Sequence, residues 1–367
     1  EAALLNGPES APASSVLYQD GKLLISFNYL ARNLQATVAG GHITGTFGLT
    51  THAPHGLPPV PLVLQRHTEL PSAAAGPDIR GDWEIAVSSD KGESAWLLHV
   101  RPQTTTSIQA VIQRIDGDTG SLYGTWDGHQ YTVSHFTAAG PALYAIAPQP
   151  DGTLRVSNLI ASEAVKAQST NLVARRPSQA RKENLAAPTD SAAQTRMKDP
   201  SAPLTFNFPD INGKQVSSSD PRFRDKVMIV TIGGSWCPNC HDEAPFLESL
   251  YKQFHSRGLE IVDLSFEEED QLHDPARLRA FIQRYGITYP VLLAGTPEEL
   301  TEKIPQAENL NCWPTSFILG RDGRVREIHA GFAGPANPQA HQALRQQVTA
   351  LVQKLLSQSG PNRQASN

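Results

Sequence analysis

Along the first half of the chain, apolar and polar residues alternate in short runs broken by Gly and Pro. Lys22-Leu23-Leu24-Ile25-Ser26-Phe27 follows Asp20-Gly21, a dipeptide suited to a hairpin turn. Comparable runs at 35–38, 42–47, 60–65, 83–87, 95–100, 108–115, 121–126, 131–136 and 143–147 read as further strands. No long helical periodicity intervenes. The pattern predicts an all-β N-terminal domain over 1–176, an antiparallel barrel or sandwich.

A weak echo runs through this half. Gly45-Thr46-Phe47-Gly48 resembles Gly124-Thr125-Trp126-Asp127-Gly128, and Leu62-Val63-Leu64-Gln65-Arg66 resembles Leu172-Val173-Ala174-Arg175-Arg176. Two related β-units, 1–68 and 78–176, would produce it. So would chance recurrence in strand-rich sequence.

Beyond residue 203 the period changes. An apolar run at 226–232 suits a buried parallel strand. Leu247, Leu250, Tyr251 and Phe254 then share one helical face. A strand at 259–265 precedes a second helical face, Leu278, Phe281, Ile282 and Tyr285. A strand at 289–293, a short helix at 297–304 and two strands at 316–319 and 325–329 follow. Leu344, Val348, Leu351, Val352 and Leu355 mark a closing helix. This order predicts an α/β, thioredoxin-like domain over 203–356. The Ala-, Pro- and Ser-rich stretch 177–202 reads as a flexible linker, and 357–367 as a tail.

Composition narrows the function classes. Thirty-one Lys and Arg stand against 36 Asp and Glu without a basic stripe, which argues against a nucleic-acid partner. The longest strongly apolar run, 227–234, is far short of the roughly 20 residues of a membrane span. The opening Glu1-Ala2-Ala3 is compatible with a mature terminus left by a removed signal, which would allow membrane tethering of a precursor, or with a trimmed chain. Three cysteines in 367 residues are not a disulfide scaffold.

Two of those cysteines carry the chemistry. Cys237-Pro238-Asn239-Cys240 sits where a strand gives way to a helix. Unpaired N–H groups and the dipole at a helix start favour an anion, and the thiolate is the form that attacks a disulfide. The i, i+3 spacing brings Cys240 back over Cys237, so the second sulfur can resolve a mixed disulfide. In thioredoxin-like folds a cis-proline loop lies against such a pair, and Trp313-Pro314-Thr315, just before a strand, resembles that loop. Cys237 is thus the expected attacking thiol, Cys240 the resolving thiol and Pro314 the cis-proline contact. Trp236, Trp313 and Thr315 are candidates for the substrate face. Neither a cofactor nor a metal is expected.

The segment Gly233-Gly234-Ser235-Trp236-Cys237-Pro238-Asn239-Cys240-His241-Asp242-Glu243-Ala244-Pro245-Phe246, with the lead-in Phe208-Pro209-Asp210-Ile211-Asn212-Gly213-Lys214, resembles the TlpA/ResA group of thiol-disulfide oxidoreductases within the redoxin (AhpC/TSA) superfamily. The resemblance implies that Glu243, three residues after the second cysteine, assists proton transfer, and it matches Pro245 to a proline of the same helix. It also implies disulfide-containing client proteins, an upstream thiol donor and a periplasmic or otherwise extracytoplasmic location. More loosely, 131–136 and the segments after it resemble a β-rich region that precedes some bacterial redoxin domains. Gly233-Gly234 depart from the group's pattern of an aromatic and a small residue, and the departure predicts a more open pocket.

Rival readings are weaker. No second Cys or His pair at metal spacing supports zinc. Cys237-Pro238-Asn239-Cys240-His241 spells a c-type haem attachment pattern, but in the wrong structural context. With haem set aside, His241 reads as a surface residue of the helix. A thiol peroxidase would have Thr three residues before its reactive cysteine, where this chain has Gly234. A binding module, in which the β-domain captures an envelope component and the redox domain regulates, is the alternative from another class. Cys312 reads as a passive small residue, and Glu267-Glu268-Glu269-Asp270 as a solvated loop. The histidines of the first half lack metal spacing.

Overall fold

The computed structural model divides the chain into two compact units. One comprises Glu1–Ser89, Glu93–Ile112 and Gly120–Pro188; the other comprises Asp90–Gly92, Gln113–Thr119 and Thr189–Asn367. The structure describes residues 1–7, 9–50, 59–65, 75–102, 104–118, 120–138, 140–161, 166 and 168–358. The expected tail therefore lies, from 359 onward, outside the described residues.

The first unit is all β. Ser15–Gln19, Lys22–Phe27, Arg32–Ala39, His42–Leu49 and Val60–Leu64 form an antiparallel sheet in sequence order. Eight further strands, from Gly81–Ala86 to Leu172–Arg175, form a closed barrel whose first and last strands pair through Ile85 and Ala174. Closure leaves no sheet edge to pair with another chain. Inward positions are filled by Ile85, Leu98, Leu122, Ile146 and Leu154, all fully buried. The sequence echo has a local meaning. A Cβ at Gly45 would meet the Gln35 carbonyl at 2.0 Å, and one at Gly124 the Thr132 carbonyl at 1.8 Å. In both sheets a glycine lets the neighbouring backbone approach closely.

In the stretch read as a linker, Pro177–Lys182 is a short helix with Pro at its start, and Arg196–Met197 pairs with Ala307–Glu308. Met197 is buried in the core of the second unit. One apolar side chain among polar neighbours gives no periodic signal, so composition alone does not show that the segment packs.

The second unit is built on β1 (Val227–Gly233), α1 (Pro238–Phe254), β2 (Leu259–Phe266), α2 (Ala276–Tyr285), β3 (Val291–Gly295), β4 (Thr315–Leu319), β5 (Val325–Ala330) and α3 (Pro338–Ser357). The sheet order is β3-β2-β1-β4-β5. β1 and β3 run parallel to β2, whereas β4 runs antiparallel to β1 and β5. Every residue of β1 is buried because both faces are covered. Val227 and Ile229 face α1, α2 and α3, while Met228, Val230 and Ile232 face a second core with Leu204, Phe206, Val216 and Phe223. The lead-in residues form the hairpin Asn207–Pro209 with Gln215–Ser217.

Candidate active site

The central strand β1 ends at Gly233, and after Gly234, Ser235 and Trp236 the chain reaches Cys237 at the start of α1. Cys237 occupies the helix N-cap, Pro238 the first turn, and the Cys240 N–H donates to Cys237 Sγ at 3.2 Å. Pro fits this position because a first-turn N–H has no helical partner to lose. Both thiols are buried, with Cys237 2% and Cys240 7% exposed. Burial first, then hydrogen bonding with Cys237 and the charges of Cys237 and Glu243, pushes the Cys240 thiol well up.

The turn that presents the pair is held by a buried charged network. Ser235 N–H and Oγ–H donate to the two Glu267 oxygens, each at 2.7 Å, and Ser265 Oγ–H donates to Glu267 at 2.8 Å. Arg277 Nε donates to Ser235 Oγ at 2.7 Å, and its guanidinium pairs with Glu267 at 3.0 Å and Glu268 at 2.7 Å. His241 Nε2–H donates to the Ser235 carbonyl at 2.8 Å, and Tyr285 O–H donates to Nδ1 at 2.9 Å. Burial pushes the His241 imidazole down to about 4, which keeps it neutral. Two expectations are corrected here. His241 is no surface residue but a buried strut between helix and turn, and with both ring nitrogens engaged it offers neither to a haem iron. Glu267 is fully buried rather than part of a solvated loop, because its charge is matched by Arg277.

Beneath the pair lies Glu243. Its oxygens accept from Thr231 Oγ1 at 2.9 Å and Ser316 Oγ at 2.8 Å, which ties α1 to β1 and β4. Burial raises the carboxyl to about 7, outweighing the two hydroxyl donors. A proton can therefore leave or join it near neutrality.

The Trp313–Pro314 peptide is cis. Trp236 and Trp313, each half-buried, meet edge to face at 5.2 Å, which brings the residue before Cys237 onto the residue before Pro314. Trp236 Nε1 donates to the Phe266 carbonyl at 2.9 Å. A Cβ at Gly234 would stand 2.4 Å from that indole nitrogen. At Gly234 the pocket is thus filled by Trp236, not opened. Thr315, placed on the substrate face by its sequence position, is fully buried and donates to the Cys312 carbonyl at 2.8 Å, so it braces the loop instead. Cys312 packs with Ile115 and Ala330. Asp116, also in the second unit, accepts from the Trp313 N–H at 3.0 Å through its carboxylate and from Asn239 Nδ2 at 2.8 Å through its carbonyl.

Sequence reasoning missed Ser235, Glu267, Arg277, Tyr285 and Asp263. Spacing gave no signal for them, since they come from different elements. The one available clue was the polar run Asp263–Ser265–Glu267 in and after an otherwise apolar strand.

A five-stranded mixed sheet, with a Cys-x-x-Cys pair opening the helix after its central strand and a cis-proline loop beside it, defines a thioredoxin-like domain. Residues 200–328 match the AhpC/TSA family. The chain is 29% identical to the thiol-disulfide oxidoreductase ResA of Bacillus subtilis (strain 168) over 127 residues, 34% of this chain and 64% of that protein. It is also 29% identical to ResA of Bacillus thuringiensis (strain Al Hakam), over 33% of this chain and 64% of that one. The match thus spans just under two thirds of these relatives. Among solved structures, a thioredoxin-family thiol:disulfide interchange protein from Chlorobium tepidum TLS is 24% identical. It covers 44% of this chain and 100% of its own, with TM-score 0.35.

Proposed function

We propose that the protein is a thiol-disulfide oxidoreductase that reduces or exchanges disulfides of client proteins. The observation that carries this reading is the Cys237–Cys240 pair at the N-terminus of α1, with Glu243 buried beneath it and held near neutrality. Cys237 attacks the client disulfide and forms a mixed disulfide. Cys240 then attacks Cys237, the client thiolate leaves, and the enzyme is left oxidised. Glu243 takes the Cys240 proton in that second step. An extended client chain that pairs with the Trp313 N–H displaces Asp116 and packs along Trp236, Trp313 and Pro314. An upstream thiol donor returns the pair to the dithiol.

The similarity to ResA supports this chemistry, and the TlpA/ResA resemblance supports a location outside the cytoplasm. Among the described residues no helix is long and apolar enough to cross a membrane. Insulin reduction with dithiothreitol as donor tests the activity. The full chain should accelerate it, and Cys237→Ser should not. Equal rates with and without the protein would reject the reading. Subcellular fractionation of the native host, with the protein recovered from the cytosol, would reject the location.

A further inference from the structure

The face of β2 beneath α1 carries one carboxylate, Asp263, which stands opposite Thr231 of β1 in the parallel register. It is 7% exposed, and its Oδ1 has no hydrogen-bond partner in the structure. Buried oxygens are rarely left so, and a water is the usual partner where the protein supplies none. The gap for one is created by Gly233, whose missing side chain faces both groups. A Cβ there would stand 3.3 Å from Cys240 Sγ and 3.7 Å from Asp263 Oδ1. A space of about 10 Å³ bounded by Thr231, Gly233, Cys240, Glu243, Asp263 and Tyr289 adjoins it. That is about the room one water needs, among polar atoms that can hold it.

We propose that Asp263 and Glu243 act as one two-carboxyl proton acceptor for Cys240, linked to its thiol through a water lodged beside Gly233. The proposal rests on the dithiol reading above and deepens its second step. As Cys240 attacks, its S–H bond breaks and the proton passes to the carboxyl pair. The Cys237–Cys240 bond forms, the Cys237–client bond breaks, and the client sulfur leaves with the electron pair. Over both steps the dithiol loses two electrons and the client disulfide gains them. Solvent protonates the client thiolates and takes up the protons of the dithiol.

The groups facing Asp263 are Cys240 and Glu243 of α1, Glu267 beyond β2 with its partner Arg277, and Tyr289 before β3. Burial, then the charges of Glu243 and Glu267, pushes Asp263 well up, and Tyr289 is raised likewise. Two close buried carboxyls do not both ionise readily. The pair therefore keeps one proton between its two carboxyls while the other carboxyl is free to take the proton of the thiol. Asp263 is a positioning residue, acting through Glu243 and the water.

A chromogenic aromatic disulfide tests this on the full chain. The first coloured thiolate reports attack by Cys237, and the second reports its resolution by Cys240. In the unmodified protein the second rate should rise with pH in two steps, as expected for a coupled pair. In Asp263→Asn it should fall about tenfold, less than the ~10²–10⁴ of a direct base, and rise in a single step. The first rate should stay unchanged. Gly233→Ala, which fills the gap and leaves both carboxyls, should also slow only the second release. An unchanged second rate and profile in both variants would overturn the proposal while leaving the dithiol reading intact. Absence of a second release in the unmodified protein would overturn both.

Discussion

The barrel and the thioredoxin-like unit are both filled by apolar side chains at alternating strand positions, but they differ in what else they bury. The barrel interior, with Ile85, Leu98, Leu122 and Ile146, is apolar, and the polar atoms of its Trp83 and Tyr131 are neutral groups that donate to the Ile79 and Pro77 carbonyls. In the second unit Glu243, Asp263, Glu267, Arg277 and His241 are buried around a single turn. Burying ionisable groups is costly unless they are paired or neutralised. Their concentration beside Cys237 and Cys240 marks the place where the fold gives up packing energy to set proton positions. Among its described residues the barrel carries no comparable cluster.

The largest effect is expected at the sulfur. Cys237→Ser should abolish disulfide reduction altogether while leaving far-ultraviolet circular dichroism unchanged; residual turnover would relocate the chemistry. Next in size are two destabilisations with opposite consequences. Arg277→Ala strands the Glu267 charge, and denaturant titration should show a loss of about 3–5 kcal/mol. It should also slow client attack, because Ser235 loses a support beside the thiols. Ile85→Ala in the barrel should cost about 2–5 kcal/mol and leave the redox midpoint where it was. A shifted midpoint in Ile85→Ala would mean that the two cores are not separate.

Smaller effects come from the pH dependence of stability. Glu243 keeps its proton to about 7 when folded and loses it near 4.5 when unfolded. Between these values the folded state binds the extra proton, so stability falls as pH rises. Asp263, raised by burial, adds a fall of the same sign. His241 acts oppositely. Folded it titrates near 4, unfolded near 6.5, so its contribution is lost as pH falls through that window. Glu243→Gln should therefore flatten the decline between pH 4.5 and 7, by something of order 2–3 kcal/mol across the window. His241→Gln should steepen it between pH 4 and 6.5. Chemical denaturation at several pH values checks both signs.

Much of the second unit was legible because its signals are local. A continuous apolar run marks β1, a 3.6-residue period marks α1 and α2, and Cys237 to Cys240 is a contiguous motif. Trp313-Pro314 was readable because so few dipeptides suit a cis bond. The network under the site was not, since Ser235, Glu267 and Arg277 meet only after β1, β2 and α2 have packed. Thr315 and His241 show the same limit. Each is polar and adjacent to the motif, and sequence gives no sign of which way its side chain turns. In the first unit, alternation revealed strands such as Tyr131–Thr137. Ser15–Gln19, fully exposed along its length, carried no pattern of burial to detect.

The most direct test of the account is a redox titration in glutathione buffers, read by the fluorescence of Trp236 and Trp313, which meet beside the thiols. The unmodified protein should show one two-electron transition, and Cys237→Ser none. A midpoint near the thioredoxin value of about −270 mV would make it a reductant, and one near about −120 mV an oxidant. No transition in the unmodified protein, or the same transition in Cys237→Ser, would contradict the claim that Cys237 and Cys240 form the working pair.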